Sequence, residues 1–136
     1  MDFKSLLHAA VKFQDVSHQI GKSESKIIAR GCVMIQTEAK RVIGTYEYGW
    51  PTLAPSTLEK KSADTPLLET GGLRDSIEWN ASEHEGRVGT NDDKAVWQEL
   101  GTSRIPPRSF LVGAAVREEP KIHAMAAREV MLSFKR

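Results

Sequence analysis

Residues 94–111, KAVWQELGTSRIPPRSFL, constrain the fold more than any other stretch of this chain. Val96, Trp97 and Leu100 recur at helical spacing after Asp92-Asp93, which predicts a short capped helix with Gly101 as its stop. A basic loop follows, with Arg104 and Arg108 flanking Ile105-Pro106-Pro107. The two prolines fix φ and stiffen the connection. Phe110 and Leu111 then open a second helix. The stretch is dense in residues that dictate shape and holds no acid, base and nucleophile in convergent spacing, so the expectation is a part in an assembly, not an enzyme.

The remaining composition is that of an ordinary globular chain. The 136 residues are 40% hydrophobic and 27% charged, enough for one domain with a real core. Nineteen basic and eighteen acidic residues give a net charge of +1. That balance argues against a dedicated nucleic-acid binder, whose footprint is an excess of Lys and Arg, but leaves room for a local basic patch. Cys32 is the only cysteine, so neither an intramolecular disulfide nor a cysteine-based zinc site is available. The start of the sequence interrupts its apolar residues with charges, unlike a signal peptide, and no run approaches a membrane span.

Apolar periodicity predicts helices at both ends. Phe3, Leu6, Leu7, Ala10 and Val11 form one stripe, with a break expected near Gly21. A stronger stripe of Ile27, Ile28, Gly31, Met34, Ile35, Ala39 and Val42 follows, with Ser23 or Ser25 as cap and Gly44 as stop. Residues 45–72, rich in breakers and holding Tyr46, Tyr48, Trp50, Pro51 and Pro55, read as an extended arm or long loop with one short helix at Ser56–Lys61. Ile77, Trp79 and Ala81 alternate with polar residues, and a turn at Glu85-Gly86 returns the chain antiparallel through Arg87–Thr90. The final helix carries Leu111, Ala114, Ala115, Ile122, Met125, Ala126 and Val130, with Pro120 expected to kink it. The predicted fold is α+β: a small antiparallel sheet packed against long N-terminal and C-terminal helices. The single domain, 1–136, then divides into N-terminal helices (1–44), an arm (45–72), a hairpin, short helix and Pro-Pro-Arg loop (73–116) and a C-terminal helix (109–136).

Each reactive residue type has a plainer role. His8, His18, His84 and His123 show no metal-ligand spacing, and His84 reads as a solvated turn residue. Asp92-Asp93 reads as a helix cap and not as a metal pair. None of the serines considered (17, 62, 76, 82, 103, 109 and 133) lies in a nucleophile elbow, and Gly71-Gly72 lacks the spacing of a phosphate loop. Cys32, beside an apolar helical stripe, reads as a small buried hydrophobe. Arg74, Lys94, Arg104 and Arg108 are candidates for a patch facing phosphates or carboxylates. Trp79 and Trp97 read as core, and Trp50, among breakers, as an interface anchor.

Several blocks occur together in an order that resembles a known family. They are Trp50, then Leu58-Glu59-Lys60-Lys61, then Pro66-Leu67-Leu68-Glu69-Thr70-Gly71-Gly72-Leu73-Arg74-Asp75-Ser76-Ile77, then Val88-Gly89-Thr90. Ala95-Val96-Trp97-Gln98-Glu99-Leu100-Gly101-Thr102 and Ile105-Pro106-Pro107-Arg108-Ser109-Phe110-Leu111 complete the set. Over about residues 50–116, the chain resembles the virion-morphogenesis, or tail-completion, proteins of the tailed-phage head–tail neck. Ser109 stands where the family pattern has a second proline, and Val96-Trp97-Gln98-Glu99 departs from its aromatic-then-His pattern.

The resemblance implies a non-enzymatic structural protein of a phage or prophage. It implies a ring-forming homo-oligomer that joins the head connector to the tail, with no cofactor or metal. Its partners would be itself and neighbouring neck or tail proteins, with DNA close by in the channel and no membrane. Its place would be the virion neck or tail, and the host cytoplasm during assembly. The expected subunit and partner contacts are Trp50, Leu58, Arg104, Ile105, Pro106, Pro107 and Arg108. Gly71, Gly72, Leu73, Ser76, Trp97, Gly101 and Phe110 are expected to build the motif itself. The alternative is a nucleic-acid-binding module using the local basic patch.

Overall fold

The computed structural model describes residues 3–61, 63–68 and 71–135, with side chains described within these ranges from Gly21 to Phe134. The Phe3–Val11 stripe, the side chains of Ser17, His8 and His18, and Ser62, Glu69 and Thr70 lie outside what is described. Helix α1, Phe3–Val42, is followed by α2, Pro55–Lys60, and α3, Gly72–Asp75. Strands β1, Glu78–Ala81, and β2, Gly86–Gly89, form a two-stranded antiparallel sheet. Helices α4, Asp93–Leu100, and α5, Leu111–Lys135, complete the chain. The architecture is the expected small sheet packed against long terminal helices.

The N-terminal helix is one element, not two. Gly21 sits inside α1 with no turn, because one glycine costs a helix only about 1 kcal/mol relative to alanine. Ser23 and Ser25 consequently lie within the helix and cap nothing; the Ser23 hydroxyl instead meets that of Ser133 at 2.6 Å. Helix α1 ends where the sequence places its stop. Gly44 adopts φ +90°, its N–H donates to Pro66 O at 2.8 Å, and a Cβ there would lie 2.9 Å from Leu68 Cδ2.

Helices α1 and α5 run antiparallel. Ser23 meets Ser133, Lys26 and Arg30 meet Glu129 at 3.3 and 3.0 Å, and Glu38 meets Arg117 at 3.8 Å. The face that α5 buries is Ala114, Glu118, Met125, Glu129 and Ser133. Their spacing is helical, but the face is more polar than an apolar stripe, because cations of α1 reach the Glu129 carboxylate. Pro120 lies inside α5, which continues through it. The apolar core gathers at the other end of this pair, from Ala39, Val42, Ile43, Trp50, Leu73, Ile77, Ala95, Phe110 and Ala114.

The hairpin pairs Trp79 with Val88 and Ala81 with Gly86. Its turn is Ser82–Glu85, closed by Ser82 N–H donating to Glu85 O at 2.7 Å, so Gly86 begins β2. Of the alternating set only Ile77, just before β1, is buried; Trp79 is 38% exposed and all of β1 faces solvent. The ribbon rests one face on α1, with Gly86 against Ile28 and Cys32 and Val88 packed on the core, and leaves its other face open. Gln36 Nε2 on α1 ties this contact down by donating to Ile77 O at 2.8 Å.

The arm expected over 45–72 is packed down. Trp50 and Leu53 are buried, Tyr48 meets Trp50 edge-on at 5.7 Å, and Pro66 is fully covered. Helix α2 forms where expected, but Ala54 precedes it with no side-chain cap, and Pro55 pre-sets its first turn.

Candidate interface at the 92–112 segment

Helix α4 starts at Asp92, whose Oδ1 accepts from Lys94 N–H at 3.0 Å. It stops at Gly101, with φ +75°, where a Cβ would lie 2.8 Å from Pro107 N. Only glycine lets the chain turn there with Pro107 so close. Thr102 then closes the loop. Its N–H donates to Ile105 O at 2.9 Å, while its hydroxyl accepts from Arg104 and Ile105 N–H. The returning chain lies back on α4, with Arg108 N–H donating to Gln98 O at 2.6 Å.

Glu99 locks this arrangement, a role not legible in the sequence. Its carboxylate accepts from the N–H groups of Leu111 at 3.0 Å and Val112 at 2.9 Å, and from Ser109 Oγ at 2.6 Å. A carboxylate on one helix thus satisfies the orphan donors that open the next. Nothing in sequence spacing signals a cap twelve residues away; the loop geometry has to close first.

The expected contact residues divide sharply. Arg108 is buried, and its Nη2 donates to Pro51 O at 3.0 Å and Thr52 O at 3.3 Å, so it holds the 50–53 segment onto the core. Trp50 is likewise a core residue. Leu58, Arg104, Pro106 and Pro107 are exposed, and Ile105 is half-buried. Leu73 and Phe110 are core residues, Gly71 takes a left-handed φ of +84° and is buried ahead of Gly72, and Ser76 bonds Leu73 O at 2.7 Å and Thr90 Oγ1.

Trp97 reverses its expected place. It is 52% exposed, beside Val96 at 58% and Leu100 at 74%, whereas α4 buries only Ala95. An eight-residue helix anchored through its backbone, Ala95 and Glu99 can turn its large apolar side chains outward. Val112 and Val116, one turn apart on α5, are exposed too. Beside them, a shallow groove of about 780 Å³ runs along Tyr48, Pro51, Pro107, Val112 and Val116.

Of the four basic candidates, Lys94, Arg104 and Arg108 line one cleft of about 360 Å³ between α4, α2 and the 52–54 segment. Arg74 is not among its walls and pairs with Asp75 at 3.4 Å. Lys61 also reaches the cleft, its ammonium held by Thr65 O and Leu68 O.

The ionic cluster at the far side of the groove is tighter. Glu38 is buried and accepts from Arg41 Nε and Nη2 at 2.8 and 2.7 Å and from Tyr48 Oη at 2.8 Å. The Arg41 hydrogen bond holds the Glu38 carboxyl below the usual carboxylate range, outweighing burial. Burial, and then the bond to Glu38, push the Tyr48 hydroxyl up. Arg117 lies over the Tyr48 ring at 5.5 Å. His84 is exposed at the hairpin turn with Glu24 at 3.2 Å, and Cys32 is buried with desolvation raising its thiol.

Compared with known proteins, the chain matches no family model, no curated protein and no solved structure. Among the described residues no helix is long and apolar enough to cross a membrane.

Proposed function

We propose that this chain is a non-catalytic structural subunit of a tailed-phage or prophage neck, assembling head-to-tail into a ring that completes the tail and joins it to the head. The observation that carries the reading is α4. Three large apolar side chains of an eight-residue helix stand in solvent, on the same block of sequence that resembles the tail-completion family. Exposed apolar faces of this kind are characteristic of interaction surfaces.

A ring needs two different surfaces that meet under a closing rotation. The outward face of α4 and the groove beside Val112 and Val116 are two different exposed surfaces on one chain, which supports that reading. A net charge of +1 opposes close packing of copies only weakly. Electron microscopy of the chain, alone and mixed with neighbouring neck proteins, tests the reading. Rings or defined oligomers support it, and a strict monomer in both conditions overturns it.

The nucleic-acid reading keeps only Lys94 and Arg104 as outward cations of its set at this site, because Arg108 is committed to Pro51 and Thr52. Binding to duplex DNA that weakens steeply with salt would favour it.

A further inference from the structure

We propose that the cleft lined by Lys94, Gln98, Arg104 and Arg108 binds an acidic, extended peptide segment of a partner protein. The proposal stands apart from the neck reading, since a strict monomer could still bind such a segment.

Two buried polar atoms in this cleft have no hydrogen-bond partner among the described residues: Arg108 Nε, a donor, and Gln98 Oε1, an acceptor. Arg108 is only 6% exposed, and no described carboxylate lies within ion-pair distance of it. A buried guanidinium compensated by two carbonyls alone is an unmet demand for an anion. Four cations line the cleft against one carboxylate, Asp92, and that carboxylate is already used as the α4 cap. The field in the cleft is therefore positive.

The two orphans choose between anions. A phosphodiester offers only acceptors, so it would serve Arg108 and leave Gln98 Oε1 facing another oxygen. An aspartate within a peptide offers both groups, a carboxylate for the guanidinium and a backbone N–H for the amide oxygen. Gln98 and Arg108 are joined by their own backbone hydrogen bond of 2.6 Å and line the same cleft. Both orphan atoms are closed to water in the free chain, so their engagement requires the cleft wall to shift. The rim residues Lys94 and Arg104 are exposed.

Calorimetric titration of the full chain at low salt with a hexa-aspartate peptide tests the site, with hexa-asparagine, inorganic phosphate and short duplex DNA as comparison ligands. Hexa-aspartate should bind, and hexa-asparagine should not. The double variant Lys94→Gln with Arg104→Gln should weaken binding about tenfold without lowering the thermal midpoint. Gln98→Leu should weaken it as well while the fold stays as stable, since it removes an unsatisfied acceptor. Lys22→Gln with Arg128→Gln, away from the cleft, should leave affinity unchanged. Absence of hexa-aspartate binding overturns the proposal, as does an equal loss in the Lys22/Arg128 control. Tighter binding of duplex DNA or phosphate through the same residues also overturns it.

Discussion

At single residues, the structure turns on a few atoms that cannot be exchanged. Gly101 combines φ +75° with Pro107 N only 2.8 Å from any added Cβ. Gly101→Ala should therefore cost about 2 kcal/mol in urea unfolding, from backbone strain and displacement of the proline. A change near zero would mean that the loop shifts freely. Glu38 sets an acid limit on stability. Its folded carboxyl is held below its unfolded value, so it stabilises the chain above that unfolded value, and the contribution is lost as pH falls through the folded one. Glu38→Gln should lower the thermal midpoint at neutral pH, and the gap to the parent chain should narrow through the acid range. A gap that stays constant with pH would contradict the role given to Glu38.

Among the elements, what could be read from the sequence was whatever local chemistry decides. Asp92 before α4, Gly101 after it and Gly44 after α1 stand where cap residues place them, and the antiparallel hairpin forms as expected although its turn closes over Ser82–Glu85 and not at Glu85-Gly86. The misreadings of burial share one cause, which is that partners distant in sequence decide it. Trp50 looks like an anchor until Phe110, Leu73 and Ala39 gather with it in the core. Trp97 looks like core until α4 is seen to be held by Ala95 and Glu99, with its periodic face outward. Residues 45–72 look like an arm because their breakers are visible in the sequence, whereas the Arg108 hydrogen bonds to Pro51 and Thr52 are not. The Glu99 cap joins two helices that neither predicts. Glu99→Ala should cost about 1–2 kcal/mol, by loss of the α5 N-terminal cap and its charge–dipole attraction. Hydrogen exchange should show faster opening of Leu111 and Val112, and unchanged protection there would contradict the cap.

On the scale of the whole molecule, one long antiparallel helix pair carries a polar seam at one end and the apolar core at the other. The hairpin runs back along α1 until His84 meets Glu24, and the short helices gather at the core end. They turn an apolar face outward on α4 and leave a groove beside α5. That distribution is wasteful in a solitary chain and useful in an assembly, where a second copy removes the apolar area from water. The decisive measurement is sedimentation velocity at micromolar concentration on the parent chain and on Trp97→Ser with Leu100→Ser, each alone and mixed with the neck proteins proposed as partners. The parent should form a defined higher-mass species, alone or on its partner. The variant should lose that species while keeping its thermal midpoint, because both side chains are already solvent-exposed in the free chain. A parent that sediments only as a monomer in both conditions, or a variant that assembles as well as the parent, would contradict the account.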